Sequence, residues 1–201
     1  MYPFVETIRV SNGEAENLPY HEARMNQTRR ELLDGHDPLF LEALLKAECF
    51  EMHGLYKCRI EYRESIEKVE LIPYTPPVIR NLMMIEADTL RYSHKSTDRA
   101  ELNRIHTQAM GCSDALIIQH GLVTDTTFCN VAFFDGYNWI TPASPLLKGT
   151  KRAQLIDQGM LIERNIPACM VKEFKLIMLF NAMNEFGTII LPTHEIYRIE
   201  E

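Results

Sequence analysis

The chain has 201 residues, of which 46% are hydrophobic and 24% charged, and its formal net charge is -7 at pH 7. This length and composition allow a packed apolar core in one domain or two small lobes, which excludes a largely disordered chain. The negative charge and the scattered basic residues exclude an electrostatic surface for nucleic acid or anionic membranes, so we expect a protein that acts on small molecules.

The N-terminal part predicts an antiparallel sheet with two helices. Alternating apolar residues indicate strands, and Asn-Gly indicates a hairpin turn between them. Proline opens the first helix, on which His21 and Arg24 share a face, and an Asp-Gly-His-Asp-Pro cluster ends it. The predicted elements are a strand over 4–10, a turn at 11–13, helices over 19–33 and 38–47, and strands over 57–62 and 68–74.

A boundary between two lobes is predicted at Tyr74-Thr75-Pro76-Pro77, because each proline removes a donor that a central strand needs. We therefore expect a small lobe over 1–77 and a larger one over 78–201. The larger lobe has predicted strands at 115–119, 130–134 and 138–141 and helices near 99–110 and 150–160. Strands and helices that interleave without strict repetition predict an α+β or mixed α/β architecture.

Cysteine and histidine spacing argues against a disulfide framework and against a metal site. The five cysteines form no C-x-x-C pair, and the seven histidines lack H-x-x-x-H spacing. No signal peptide and no apolar stretch of membrane-spanning length is visible. We expect a cytoplasmic protein with reduced thiols and no bound metal.

Four polar segments are the candidates for chemistry. Each alone is more often surface polarity or a turn, and the last lacks the preceding glycine of a nucleotide-binding P-loop. The segments are 21–24 (H-E-A-R), 94–99 (H-K-S-T-D-R), 123–130 (V-T-D-T-T-F-C-N) and 145–152 (P-L-L-K-G-T-K-R).

Taken in this order, and with the opening FVETIRVSNG, the segments resemble the class IV aminotransferase family, which includes branched-chain and D-amino-acid aminotransferases and 4-amino-4-deoxychorismate lyase. The resemblance implies a two-lobed α+β fold that binds pyridoxal 5'-phosphate (PLP) in the cleft between the lobes. It also implies a homodimer. The chain starts at the family's F-E-T-I-R-V strand and is therefore expected to be shorter at the N-terminus than most members, with part of the substrate wall missing or supplied by a partner subunit.

The resemblance also implies a role for each candidate residue. Lys95 would carry the cofactor as a Schiff base, since K-S-T-D-R resembles the K-x-x-N-R form of the lyase branch. Arg24 would bind the cofactor phosphate, Asp125 would pair with the pyridine nitrogen, and Asn130 would brace the loop. Further cofactor contacts would come from Gly149, Thr150 and Lys151 through backbone amides, and from the turn at Asn181 and Ala182.

Elementary chemistry agrees with these roles. A lysine amine can bond the cofactor aldehyde and later shuttle protons. The ring nitrogen keeps its proton only beside a carboxylate, and the phosphate dianion suits a guanidinium and the free amides of a helix start. The family usually has glutamate where this chain has Asp125, so we expect a longer contact or a shifted backbone there.

Three functions remain open from the sequence. The first is a lyase that releases pyruvate and 4-aminobenzoate, and the second is an aminotransferase for a branched-chain or D-amino acid. The third is a PLP-binding protein of low catalytic activity, which Asp125 and the short N-terminus motivate. The substrate itself is not specified, because the family's substrate-contacting loops match this chain poorly.

Overall fold

A computed structural model describes residues 3–49 and 53–198 and contains helices together with three sheets, which confirms the predicted α+β class. Two compact units are present. The first comprises Met1–Pro76 and His94–Asp98, and the second comprises Pro77–Ser93 and Arg99–Glu201. The short segment that carries Lys95 thus belongs to the first unit. The division into lobes over 1–77 and 78–201 stays a prediction.

The first unit is a four-stranded antiparallel sheet with two helices, as the sequence predicts. Its elements are β1 (Phe4–Ser11), β2 (Glu14–Ala15), α1 (Leu18–Leu32), α2 (Glu42–Cys49), β3 (Leu55–Tyr62) and β4 (Ile66–Pro73). The strands lie in the order β2-β1-β3-β4. The turn between β1 and β2 holds Asn12 and Gly13 at φ 49° and 84°, left-handed conformations that asparagine and glycine tolerate best.

Side chains of this sheet alternate between buried and partly exposed positions. Cys58, Ile60 and Tyr62 on β3 have no exposed surface, whereas Arg59 and Glu61 between them are partly exposed. This is the period of two that a sheet with one covered face requires.

The second helix begins later than the predicted range 38–47, which is therefore wrong in its first turn. The amide of Leu39 donates to Oδ1 of Asn26 (2.9 Å), and the amide of Leu41 donates to Oε1 of Glu22 (2.6 Å). Both acceptors are side chains of α1. Nδ2 of Asn26 also donates to the Leu39 carbonyl (2.9 Å), an acceptor that a helix starting at residue 38 would use for an amide of its next turn, and the segment before α2 is not helical.

The second unit contains two sheets and two α-helices. Its elements are β5 (Leu82–Glu86), α3 (Ala100–Thr107), β6 (Asp114–Gln119), β7 (Leu122–Thr126), β8 (Asn130–Phe134), β9 (Trp139–Pro142), α4 (Thr150–Asp157), β10 (Ile162–Arg164), β11 (Leu176–Phe180), β12 (Ile189–Pro192) and β13 (Ile196–Arg198), with 3-10 turns at Ala168–Glu173 and Thr193–Glu195. One sheet has the order β13-β5-β6-β7, and the other has the order β10-β9-β8-β11-β12.

The three strands predicted for this part of the chain are confirmed, and both helices end earlier than predicted. Met110 and Gly111 adopt φ 50° and 87° after α3, and Gly159 adopts φ 70° after α4, so left-handed residues follow each helix end. Six further strands, β5, β7 and β10 to β13, were not predicted. They are three to five residues long, and short runs of this kind do not distinguish strand from helix.

The turn from β7 to β8 carries the chain from one sheet to the other. Strand β7 pairs with β6, whereas β8 pairs with β9 and β11. Leu116 from β6, Phe133 from β8 and Leu179 from β11 are fully buried in one apolar core, so the two sheets share it. Asp125 and Asn130 flank the turn, and both are buried.

Candidate active site

A fully buried carboxylate lies inside the first unit. Glu6 on β1 has no exposed surface, and its Oε1 accepts a hydrogen bond from Nε of Arg24 (2.9 Å). Its Oε2 accepts from Nη2 of Arg24 (2.6 Å) and bonds Nδ1 of His21 (2.6 Å). We call Glu6, His21 and Arg24 the Glu6 cluster. His21 and Arg24 are three residues apart on α1, so a single helix face presents both to the carboxylate.

The charges of the Glu6 cluster follow from its burial and its hydrogen bonds. Burial alone would raise the pKa of Glu6, but the Arg24 charge and the His21 hydrogen bond bring that pKa down to about 2. Burial lowers the pKa of His21, although the Glu6 carboxylate opposes the change. At neutral pH the cluster therefore contains a carboxylate, a guanidinium and a neutral imidazole. Since the carboxylate only accepts, the His21 proton lies on Nδ1 and Nε2 is the acceptor nitrogen.

Lys95 lies beside the Glu6 cluster. Its carbonyl accepts a hydrogen bond from the amide of Val5 (2.9 Å), the residue before Glu6 on β1. The side chain is half-buried, and its positive charge is one of the causes that lower the pKa of His21. The structure thus brings together two predicted site residues, Arg24 and Lys95, within the first unit.

Glu6 was not predicted as a site residue, although the sequence contains a signal for it. Phe4, Glu6, Ile8 and Val10 share one face of β1 and are all buried. An acidic residue in phase with an apolar face predicts a buried carboxylate, which is tolerated only with a charged or hydrogen-bonding partner. Without the fold, the sequence does not say which of the many basic residues is that partner.

The remaining predicted residues belong to the second unit, where a second buried carboxylate is held by a side-chain amide and a backbone amide. Oδ1 of Asp125 accepts from Nδ2 of Asn130 (2.8 Å), and Oδ2 accepts from the amide of Leu147 (2.8 Å). The same Asn130 nitrogen also donates to the carbonyl of Leu147 (2.8 Å). With Gly149, which packs against Asn130, these residues form what we call the Asp125 cluster. Asn130 thus ties the turn after Asp125 to the segment that precedes α4.

Asp125 has an unusual protonation equilibrium. Burial raises its pKa to about 7, although the hydrogen bonds from Leu147 and Asn130 and the charge of Arg152 oppose the shift. A buried carboxylate of this kind is stabilised in its charged form when a cation approaches it.

Position 149 has no room for a side chain, so it requires glycine. Its backbone is extended (φ -68°, ψ 145°) and therefore open to any residue, but a Cβ there would lie 1.9 Å from Oδ1 of Asn130. Gly149 caps α4, whose first residues are Thr150 and Lys151, and no side chain caps this helix from that position. The Lys151 amine bonds Oε2 of Glu185 (3.0 Å), so a predicted phosphate contact would come from its backbone amide.

Asn181 and Ala182 lie in a tight turn after β11. Oδ1 of Asn181 accepts from the amides of Met183 (2.8 Å) and Asn184 (2.9 Å), and its Nδ2 donates to the carbonyl of Phe128 (3.0 Å). The Asn181 side chain therefore fixes its own turn against the turn between β7 and β8. Ala182 is half-buried in the same turn. Their predicted contact with the cofactor stays a prediction.

The sequence analysis did not predict a second set of hydrogen bonds that fixes the β7–β8 turn. Oδ1 of Asp114, which has no exposed surface, accepts from the Thr127 hydroxyl (2.5 Å) and from the amide of Ala115 (2.8 Å). Nη2 of Arg99 donates to the carbonyl of Thr127 (2.6 Å). Thr127 lies in the turn between Asp125 and Asn130. The Thr127 hydroxyl, the Thr127 carbonyl and the neighbouring Phe128 carbonyl all accept or donate hydrogen bonds that fix this turn.

Two classes of feature are absent from the described residues. Within 3–49 and 53–198, no three His, Cys, Asp or Glu side chains are grouped so that they could hold a metal ion. In the same ranges, every helix is too short or too polar to cross a membrane.

Comparison with known proteins gives one family. The family model described as amino-transferase class IV matches residues 4–190. An uncharacterized protein of Haemophilus influenzae is 32% identical over 92% of this chain and 99% of its own length. A Schizosaccharomyces pombe protein named "Putative aminodeoxychorismate lyase" is 27% identical over 90% of this chain and 87% of its own. The crystal structure of a "putative 4-amino-4-deoxychorismate lyase" from Haemophilus somnus aligns with a TM-score of 0.84 at 33% identity, covering 92% of this chain and 97% of that chain.

Proposed function

Since the chain belongs to the class IV aminotransferase family of PLP-dependent aminotransferases and lyases, we propose that it is a lyase resembling 4-amino-4-deoxychorismate lyase, which releases pyruvate and 4-aminobenzoate. The observation that carries this choice is the 33% identity, over nearly the full length of both chains, to a solved structure named for that activity. The K-S-T-D-R segment, which resembles the lyase branch, supports the same choice.

The residues present fit PLP. Arg24 offers a guanidinium with five donors, of which Glu6 accepts from two, and α4 begins with the backbone amides of Thr150 and Lys151. Asp125 offers a buried carboxylate that a cationic ring nitrogen would stabilise. We propose that Arg24 and the amides of Thr150 and Lys151 hold the phosphate, and that Asp125 holds a proton at the ring nitrogen.

When bound, PLP supplies an electron sink for carbanion chemistry at the substrate α-carbon. Lys95 would hold the cofactor through its amine, and the same amine would carry a proton between substrate atoms. Asn130 and the Leu147 amide fix the Asp125 carboxylate, so that its charge need not reorient during the reaction. Asn181 and Ala182 complete the wall of the proposed site.

Covalent trapping tests the cofactor assignment. After reduction of the PLP-loaded protein with borohydride, peptide mapping should find the cofactor on Lys95, and Lys95→Ala should abolish the adduct. Lys148→Ala, which removes an exposed lysine near the start of α4, is the matched control and should leave the adduct intact. An adduct on another lysine would overturn the site.

A coupled assay for pyruvate and 4-aminobenzoate, run beside an amino-donor screen with branched-chain and D-amino acids, tests the reaction. The expected result is release of both products together. Transamination without 4-aminobenzoate release would replace the lyase by an aminotransferase, and cofactor binding without either reaction would leave a PLP-binding protein.

The proposal extends to the assembly and its compartment. We propose a homodimer, because the family builds each active site beside a subunit interface, and a cytoplasmic location. The cysteines whose side chains are described, Cys58, Cys112, Cys129 and Cys169, are free thiols, which suits a reducing compartment.

A further inference from the structure

The proposed phosphate ligand Arg24 is already engaged by a carboxylate. Glu6 binds its guanidinium at two nitrogens, with distances of 2.9 and 2.6 Å, and both residues lie largely out of solvent, with side-chain exposures of 0% for Glu6 and 15% for Arg24. With His21 neutral, the Glu6 cluster has no net charge. By charge alone, Glu6 would oppose the binding of an anion at Arg24.

We propose that Glu6 is a positioning residue for phosphate recognition, which fixes the plane of the Arg24 guanidinium and holds His21 as its Nδ1–H tautomer beside Lys95. This inference rests on the proposed function, because it takes the phosphate of PLP as the ligand of Arg24. Glu6 itself does not touch the cofactor in this account.

The geometry supports a positioning role. A guanidinium is planar and rigid, so a carboxylate bound at Nε and Nη2 also fixes the direction of Nη1. A long arginine side chain otherwise loses considerable rotamer entropy when it binds an anion. A guanidinium that Glu6 already holds in place avoids that loss on binding. Glu6 is suited to hold the guanidinium because its backbone is fixed: it lies opposite Ile60 of β3, and the amide of the preceding Val5 donates to the Lys95 carbonyl (2.9 Å).

The His21 contact has a separate consequence. Because the Glu6 carboxylate accepts a hydrogen bond from Nδ1–H, the neutral imidazole presents Nε2 as an acceptor. Burial, which lowers the pKa of His21 against the opposing effect of the carboxylate, keeps the ring neutral. A charged imidazole would add a second cation beside the Lys95 amine. An uncharged side chain in place of Glu6 can no longer impose this tautomer.

Glu6→Gln separates positioning from charge neutralisation, because the two roles predict opposite signs. If Glu6 only neutralises Arg24, its removal uncovers a positive charge and PLP should bind more tightly. If Glu6 positions Arg24, PLP should bind more weakly although the charge has become more favourable. Pyridoxal, which lacks the phosphate, reports contacts other than those to the phosphate.

The experiment measures the dissociation constants of PLP and pyridoxal for the full-length protein by absorbance titration. We expect Glu6→Gln to reduce the preference for PLP over pyridoxal about tenfold or more, the size of one charge-assisted hydrogen bond. The matched control is Glu16→Gln, which removes the partner of Arg9 (2.9 Å) from the same unit and should leave the preference unchanged. An unchanged or increased preference in Glu6→Gln would overturn the inference.

Two further measurements keep the inference testable. If Glu6→Gln does not fold, Glu6→Asp replaces it, because aspartate keeps the charge on a shorter side chain. Glu6→Asp should also reduce the preference for PLP over pyridoxal. A preference equal to that of the wild type would contradict the positioning role. The ¹⁵N shifts of His21 should show a protonated Nδ1 in the wild type. This signature should weaken in Glu6→Gln, because the glutamine amide can donate to Nδ1 as well as accept from it. Borohydride trapping of pyridoxal on Lys95 tests the proposed function separately, since it does not require the phosphate.

Discussion

At the scale of single residues, Asp125 is a buried carboxylate with a raised pKa. The sequence places an aspartate where the family usually has glutamate, and the structure holds its carboxylate with one hydrogen bond on each oxygen. Those bonds do not offset burial, so the pKa of Asp125 lies near 7. A charge on Asp125 therefore destabilises the protein unless a cation lies beside the carboxylate.

The pH dependence of stability tests this account. The pKa of Asp125 rises from 3.8 in the unfolded chain to about 7 on folding, so its contribution is fully present below about pH 4 and is lost as pH rises through 7. Without PLP, the wild type should lose roughly 4 kcal/mol of unfolding free energy relative to Asp125→Asn between pH 4 and pH 8. Urea unfolding at several pH values measures the difference.

Asp37→Asn, a change at an exposed aspartate, is the control, and its unfolding free energy should follow that of the wild type at every pH.

With PLP bound, Asp125→Asn should keep the cofactor on Lys95 while turnover falls severely, because an amide has no charge to hold the ring nitrogen protonated. Unchanged turnover with bound cofactor would show that Asp125 is structural only.

At the scale of elements, the β7–β8 turn and the start of α4 form one packed unit. Asn130 at the start of β8 bonds both Asp125 and the Leu147 carbonyl, and Gly149 leaves space for its side chain. Hydrogen bonds and packing therefore join the motifs at 123–130 and 145–152, which are separate in the sequence.

A double-mutant cycle tests this connection. Gly149→Ala should destabilise the protein by about 1–3 kcal/mol, because the added methyl overlaps Oδ1 of Asn130 and forces it to move. In an Asn130→Ala background the same change should cost much less. Chemical denaturation of the wild type, the two single variants and the double variant gives the coupling free energy between the two positions. An equal loss of unfolding free energy in both backgrounds would show that Gly149 is not there to make space for Asn130.

At the scale of the whole molecule, the proposed assembly is open to direct measurement. Large apolar side chains are exposed on both units, among them Phe40 (68%) in the first and Val78 (76%), Met110 (71%) and Tyr137 (91%) in the second. Such surface is often covered by a partner subunit. Sedimentation velocity over a concentration series should show a dimer, and a fully active monomer at every concentration would argue against it.

The sequence by itself determined the local elements and the order of the motifs. Period-two alternation predicted β3, and proline and glycine punctuation predicted α1 and the first hairpin, because these signals act between residues a few positions apart. The candidate lysine, arginine and aspartate came instead from the resemblance of four sequence segments, in their order, to the class IV aminotransferase family. The prediction from local pattern was wrong for the first turn of the second helix, where side chains of α1 bond the backbone of the segment, including the Leu39 carbonyl.

Only the tertiary structure decided how charged residues are paired. Glu6 and Arg24 are eighteen positions apart, and the sequence offers no rule that selects this arginine among 21 basic residues. The position of Asn130 against Gly149 and the raised pKa of Asp125 likewise arise from burial and from contacts between segments that are distant in the sequence. Burial and partner distance set the free energy of a charge, and neither is a property of local sequence.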